Sequence, residues 1–457
     1  MDLLDGEGQP AASPSGRGNP SPAPSAQYES NCRTPRSKSK PNPNSKPTNP
    51  LQASILNFLA QHPSSPAMIS AHLPKRYTIY PPLLLLPANF PTVSPAWLEI
   101  YRVLSHIDRE ALFACIVNGF AAQGVTHLAL NAPVVASVAG TGVANFMRSP
   151  TGLVPLYGDF GPRDLLEAPE SGSPKGSTAT SSQPTQADLD AALWISTTQN
   201  AGIFQTWAPL YTMFSRGNTS EKARILGSPF DDGAANFAGL DGEDGVLAQR
   251  LCDIAVVDLF VGIGYFAFSY LKRGVGIVWG WEINGWSVEG CRRGAGANSW
   301  TADVIGIDNQ GRVKGGTKVL EDVHGKMQKR GMRCLIFQGD NRWAGDVVAG
   351  MKEMCGRDWK RVRHVNLGLL PEARASWENA VRILDDEAGG WLHVHENADV
   401  AEINARRDEI VLGITRLTSA HREGTWEIAC VHVEHVKTFA PGVMHCVFDI
   451  QILKPSE

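Results

Sequence analysis

Two carboxylates and two glycines in this chain have the types and spacing of a nucleoside site. Asp258 interrupts an otherwise apolar run from Ile254 to Phe260, which reads as a buried strand ahead of a turn. Gly262 and Gly264 let that turn close tightly and approach a ligand where a Cβ would collide. Ile277 to Ile283 reads as the next strand, and Glu282 near its end is placed to accept hydrogen bonds from both hydroxyls of a ribose. A glycine turn paired with such an acid is the nucleoside half of a doubly wound α/β site. The third glycine of the dinucleotide fingerprint is missing.

Further candidates stand where such a fold would need them. Gln338-Gly339-Asp340-Asn341-Arg342 follows a third strand, and Asp340 and Asn341 could hold the adenine amino group and its polar neighbours; a helix N-cap without a ligand fits the same residues. Asn366 and His364 end a fourth strand, and with Asp340 they lie near the expected acceptor face. Upstream, Ser215 to Glu221 can cap a helix that begins near Thr219, with Lys222 in its first turns. Ser215, Lys222 and Arg216 then line the cofactor or phosphate side of the cleft, or simply a polar loop. His393, His395 and Glu396 cluster at a fifth strand end, with His432, Glu434 and His435 further on; no third ligand is set by local spacing, and no metal is expected.

The elements that must carry these groups follow from pattern. After Ile254 short apolar runs alternate with helical stretches, the signature of a parallel sheet flanked by helices. Strands are expected at 333–337, 361–367 and 391–395, a helix over 373–386, and a closing antiparallel pair at 426–436 and 443–453. Polar Thr301 to Gly331 reads as an insertion ahead of the third strand. Before the glycine turn lie a strand at 82–87, a helical stretch around Trp97 to Gln123 and a strand at 125–130. The expected organisation is a Pro/Ser-rich tail over 1–50, an N-terminal α+β region over 51–200 with a low-complexity insertion at 170–186, and a catalytic domain over 201–457.

Composition bounds the rest. A chain of 457 residues has ample sequence for about two domains. No apolar run is long enough to cross a bilayer, and the polar beginning lacks the apolar core of a signal peptide, so a cytoplasmic protein is expected. Eight scattered cysteines, none in a Cys-x-x-Cys pair, suit a reducing compartment and argue against a zinc ribbon. The net charge of −4 gives no global hint of nucleic acid, so any RNA contact must be local.

An Asp-x-Phe-x-Gly-x-Gly turn resembles the S-adenosylmethionine (SAM) site of class I methyltransferase-like folds. The expected fold class is therefore α/β: a Rossmann-like doubly wound sheet with a terminal antiparallel hairpin, plus a smaller α+β N-terminal domain. The likeness goes further. Thr212 to Asn218 with Glu221-Lys222, Asp258 to Phe266, Gln338 to Arg342, Val365 to Pro371 and Val436 to Pro441 together resemble the wybutosine-synthesising aminocarboxypropyltransferases of phenylalanine tRNA, and Arg148 to Pro162 resembles the N-terminal region of their fungal form. Carried over, the family's SAM contacts fall on Ser215, Lys222, Glu282, Asp340 and Asn341, beside Asp258, Gly262 and Gly264 of the turn. Val261 stands where alanine is common, and Ile283-Asn284-Gly285-Trp286 replaces a common Trp-Asn-Pro, which would loosen that turn.

The resemblance implies transfer of the 3-amino-3-carboxypropyl group of SAM, a co-substrate, to C7 of 4-demethylwyosine at position 37 of phenylalanine tRNA. Methylthioadenosine would be released, and a monomer would act on the anticodon loop. Lys222 would anchor the carboxylate of the transferred group, and Asn366, Asp340 and Lys222 are the catalytic candidates; no general base is identified. The Asn-Pro-Pro-Tyr-like motif of many amino- and base-methylating relatives is absent after the fourth strand. A tRNA guanine-N1 methyltransferase and a non-catalytic tRNA-binding protein with a vestigial site remain the alternatives. For RNA contact the candidates are Lys326, Lys329, Arg330 and Arg333; Arg357, Lys360, Arg361 and Arg363; a weak arm at Arg33, Arg36, Lys38 and Lys40; and Trp207, Tyr211 and Tyr265 as stacking rings, while solvated surface for the charged groups and core packing for the rings fit the same residues.

Overall fold

The computed structural model describes residues 49–61, 72–131, 153–162, 183–214, 217–227, 230, 237–241 and 250–455. The tail with its basic arm, the start of the 148–162 motif and most of the 170–186 stretch lie outside these residues.

The N-terminal part comprises α1 (Pro50–Ala60), β1 (Thr78–Tyr80), β2 (Leu83–Pro87), α2 (Pro95–Val103), α3 (His106–Gly119), β3 (His127–Asn131) and β4 (Val154–Tyr157). Its sheet has the order β1-β2-β3-β4, with β2 and β3 parallel. The helical stretch expected around Trp97 to Gln123 is two helices. Ser105 and Asp108 form a reciprocal capping box that starts α3, so local capping chemistry breaks the pattern at Leu104. Side chains alternate across β2. Leu84 and Leu86 pack with Ile55, Phe58 and Ile116, while Leu83 and Leu85 face Trp207, Leu210, Ile263 and Trp286. The small sheet is thereby seated against the part of the chain that carries the glycine turn.

Next come α4 (Gln186–Ala191), the antiparallel pair β5 (Ile195–Thr198) and β6 (Phe204–Trp207), and α5 (Thr219–Leu226). The large sheet follows: β7 (Ile254–Asp258), α6 (Ala267–Arg273), β8 (Ile277–Glu282), α7 (Gly285–Ala297), β9 (Ala302–Gly306), α8 (Thr317–Arg330), β10 (Cys334–Gln338), α9 (Ala344–Cys355), β11 (Arg361–Leu367), α10 (Trp377–Ile383), β12 (Gly390–Asp399), α11 (Ile403–His421), β13 (Glu427–Ala440) and β14 (Val443–Leu453). Its order is β13-β14-β12-β11-β7-β8-β10-β9; β7 to β12 run parallel, and β14 is antiparallel to both of its neighbours. This is the doubly wound, methyltransferase-like sheet with a terminal antiparallel hairpin. The polar stretch 301–331 holds β9, which adds an edge strand beyond β10, and α8.

Apolar clusters cover both faces of the sheet. Trp279, Trp281, Leu335 and Phe337 point to one side, and Val256, Val278 and Ile336 to the other. The strand order reverses between β7 and β11, and it is beyond the carboxyl ends of the strands at such a switch point that open α/β sheets bind ligands. Val261 packs over Gly280, where a Cβ would come within 2.7 Å of it, so the glycine opposite accommodates the branched residue in the turn.

Candidate functional site

Parallel strands bring their carboxyl ends to one edge, and that edge gathers most of the predicted site. Asp258, the last residue of β7, is fully buried; its Oδ1 accepts from the backbone N–H of Phe260 at 3.1 Å and from Asn366 Nδ2 at 3.3 Å. Gly262 and Gly264 take φ values of +55° and +88°, which L side chains rarely adopt. A Cβ on Gly264 would also sit 2.5 Å from the Phe268 ring. Glu282 at the end of β8 accepts from Gly262 N at 3.1 Å and Asn284 N at 2.8 Å. The acid thus ties the glycine turn to the start of α7.

Gly285 does not loosen this turn. Asn284 caps α7 by accepting from Trp286 N, and Gln183 Oε1 accepts from Gly285 N at 2.9 Å and from Gln338 Nε2 at 3.0 Å. A Cβ on Gly285 would lie 2.5 Å from that oxygen, so the glycine makes room for Gln183. Beyond β10, Asp340 accepts from Arg342 N and pairs with the Arg342 guanidinium. Burial raises its pKa, but the Arg342 contacts more than offset this and hold it below the usual carboxylate range. Asn341 donates through Nδ2 to the carbonyl of Leu259 at 2.7 Å, bridging the loops after β10 and β7. The capping geometry anticipated for Asp340 is therefore present.

Lys222 reaches the site from α5, and Ser215 and Arg216 lie outside the described residues. Lys222 is 3% exposed; its Nζ donates to Gln205 Oε1 at 3.2 Å, and Gln205 Nε2 donates to the Gly264 carbonyl at 3.3 Å. Burial, helped by the nearby Lys437 ammonium, lowers its pKa to about 8. No carboxylate pairs with Lys222 among the described residues; beyond Gln205, its ammonium lies over the Tyr265 ring at 5.7 Å from the centroid. The helix that carries it is pinned by a buried ion network. Arg224 bridges Glu221 (2.9 Å) and Asp449 of β14 (2.6 Å), and Asp449 accepts from His393 Nδ1 at 2.7 Å. Burial pushes Glu221 up to about 7 against the pull of Arg224, whereas His393 and Arg224 outweigh burial at Asp449 and hold it below the usual range.

Asn366 sits fully buried beside the carboxyl end of β11. Its Oδ1 lies 3.3 Å from His395 Nε2, and His395 Nδ1 lies 3.1 Å from His445 Nε2. Burial raises Asp258 to about 7. His364 bonds to His393 at 2.9 Å, stacks on Trp391 and is held well below its ordinary pKa by burial, a core role. His432 pairs with Glu434. Among the described residues no group of three or more ligands could hold a metal.

The residues expected to contact RNA are dispersed. Trp207 and Tyr211 are buried, stacked on Phe214 and Trp286 as core, because β6 packs beneath the small sheet. Tyr265 is half-buried and donates to the Met213 carbonyl. Arg333, Arg357 and Lys360 precede the strands that follow them and Arg361 is the first residue of β11, so they lie at the amino ends of the sheet, opposite the site; Arg363 is buried within β11. Arg333 donates to the Leu271 and Val275 carbonyls, Lys360 to Cys252, and Lys326 pairs with Asp303. The side chains of Lys329 and Arg330 lie outside the described residues. Sequence reading missed Gln183, Gln205, Arg224, His445 and Asp449. Only Arg224 left a signal, its i,i+3 spacing from Glu221, and that pattern usually marks an exposed pair.

No protein-family model matches the chain. The tRNA wybutosine-synthesizing protein 2 of Schizosaccharomyces pombe is 34% identical over 404 residues, covering 88% of this chain and 78% of the relative. That of Saccharomyces cerevisiae is 28% identical over 409 residues, covering 84% and 75%. Among solved structures, Pyrococcus horikoshii TYW2 in complex with MeSAdo is 17% identical, covers 88% of this chain and 100% of that one, and has a TM-score of 0.48. Identity and coverage with the S. pombe protein carry the assignment: the chain belongs to the tRNA wybutosine-synthesizing protein 2 family.

Proposed function

We propose that this chain transfers the 3-amino-3-carboxypropyl group of SAM to C7 of 4-demethylwyosine in phenylalanine tRNA. Family membership sets the pathway, and the observation that carries the reaction is the buried Lys222 ammonium, joined through Gln205 to the glycine turn and paired with no carboxylate among the described residues. The residues fit SAM in two halves. Glu282 would take the ribose hydroxyls, Asp340 and Asn341 the adenine, and Gly262 and Gly264 would let the backbone approach the nucleoside. Ser215 belongs with this set. Lys222 would hold the carboxylate of the methionine arm, with Asp258 at the base of the turn. SAM supplies a sulfonium whose three attached carbons are all activated, so choice among them rests on geometry. An ammonium fixed on the carboxylate turns the γ-carbon, and not the methyl, toward the acceptor.

C7 of the base contributes the electron pair of the new carbon–carbon bond. The bond from the γ-carbon to sulfur breaks with its pair retained by sulfur, which yields methylthioadenosine, and the proton on C7 is then lost to restore the ring. The base must leave its stack for in-line attack. The reading extends to a monomer that acts in the cytoplasm on the anticodon loop; no described helix is long and apolar enough to cross a membrane.

The test is incubation with carboxyl-labelled SAM and phenylalanine tRNA bearing 4-demethylwyosine, followed by chromatography of both products. Label on the tRNA together with methylthioadenosine is expected. Unlabelled tRNA with S-adenosylhomocysteine would make the protein a methyltransferase, and SAM binding without turnover would leave it a tRNA-binding protein.

A further inference from the structure

Four side chains from four strands form one buried chain of hydrogen bonds at the acceptor end: Asp258, Asn366, His395 and His445, none more than 1% exposed. The direction of every link follows from the first. Asp258 Oδ1 already accepts the Phe260 backbone N–H, which can only donate, so this oxygen is an acceptor whether or not the other oxygen carries a proton. The group facing it at 3.3 Å is therefore the amide nitrogen of Asn366. That leaves the Asn366 oxygen toward His395 Nε2 at 3.3 Å, and an amide oxygen only accepts, so Nε2 carries the imidazole proton.

A neutral imidazole has one N–H. His395 Nδ1 is then a lone pair, and His445 Nε2 must donate to it across 3.1 Å. Burial keeps both rings neutral: His395 is held well below its ordinary pKa by desolvation and by His445, His393 and Arg224, with Asp449 opposing, and His445 falls to about 4 under burial and the Lys437 ammonium. The Phe266 ring packs on His395 at 4.9 Å between centroids. Half-buried Gly368 lies over the Asn366 nitrogen, where a Cβ would come within 3.3 Å of it.

We propose that His395 and His445 are positioning residues that lock the Asn366 amide with its oxygen engaged, so that the one group it has left to offer an acceptor base is the second N–H of its nitrogen, a donor. An exocyclic amine needs an acceptor for the N–H it loses; a ring that attacks through carbon, with its electron push drawn onto a carbonyl or ring nitrogen, is served by a donor. The lock thus favours the acceptor class of the proposed function, and it rests on that reading.

The test compares wild type with His395→Leu, His395→Gln and Asn366→Asp, all checked for an unchanged thermal melt. Glutamine can still donate to the Asn366 oxygen. The expected result is a kcat lowered on the order of tenfold or more in His395→Leu, with SAM affinity within about twofold, substantial recovery in His395→Gln, and loss in Asn366→Asp. In parallel, 15N-histidine spectra should show both His395 and His445 as Nε2–H tautomers, a readout independent of turnover. Equal kcat loss in the leucine and glutamine variants, an unaffected leucine variant, or an Nδ1–H tautomer at either ring would overturn the lock. Wild type yielding S-adenosylhomocysteine with the tautomers as stated would overturn the proposed function and leave the lock itself in place.

Discussion

Lys222→Met should weaken SAM binding while sparing methylthioadenosine, which lacks the aminocarboxypropyl arm. A hydrogen bond to a charged group is worth about 1.5–3 kcal/mol, so the loss should be roughly 10- to 150-fold in Kd. Lys222 is almost fully buried, so salt will screen this contact little. The pH dependence supplies a second reading. The pKa near 8 is depressed by burial and by Lys437, and a ligand carboxylate favours the ammonium form, so binding must raise it toward the ordinary lysine value. Below about pH 8 Lys222 is already charged and affinity should be flat. Above that, SAM binding takes up a proton, and Kd should rise by up to about tenfold per pH unit until the pKa of the complex is reached. The α-amino group of SAM titrates in a similar range, so the assigned effect is the difference between wild type and variant. Calorimetry with both ligands, at several pH values and in two buffers of different ionisation enthalpy, measures Kd and proton uptake together. Equal losses for SAM and methylthioadenosine, or identical pH profiles in the two proteins, would refute the role of Lys222 as the carboxylate anchor.

Glu282→Gln should weaken SAM and methylthioadenosine alike, on the order of 10- to 100-fold, because both carry the ribose and an amide keeps one acceptor oxygen where the turn uses two; a loss confined to SAM would count against the ribose assignment. Arg224→Met leaves Glu221 without its ion pair and Asp449 with only His393 in the interior, and denaturant melts should show a loss of about 3–5 kcal/mol, partly recovered when Glu221→Gln and Asp449→Asn are added. Gly264→Ala and Gly274→Ala separate strain from contact. Both have positive φ, but only Gly264 would drive a Cβ into a ring, so Gly274→Ala should cost about 1–2 kcal/mol and Gly264→Ala more, with SAM binding lost in Gly264→Ala alone.

Much of the strand–turn–helix unit around Asp258 was legible in the amino-acid order because its determinants are local. The apolar run before Asp258, the two glycines after it and the acid at the next strand end are related by spacing along one strand–turn–helix unit, and backbone sterics alone dictate where such a unit turns. Lys222 was readable for a similar reason, as the first turns of α5 follow directly from the chain around it. The far links were not readable. Arg224 and Asp449 are separated by 225 positions, and the pairing of Arg224 with Glu221 looks on paper like any exposed i,i+3 pair; only packing of α5 against β14 turns it into a buried bridge. The same holds for His445, whose partner is chosen by the register of β14 on β12. Basic residues written next to the acceptor strand proved to lie at its opposite end, since composition carries no direction and strand polarity does. The sequence by itself determined which residues turn, cap and enter the core, because those choices are settled within a few residues. The tertiary structure alone decided which polar groups meet in the interior, because burial makes an unpaired group costly and the fold, not the order of residues, supplies its partner.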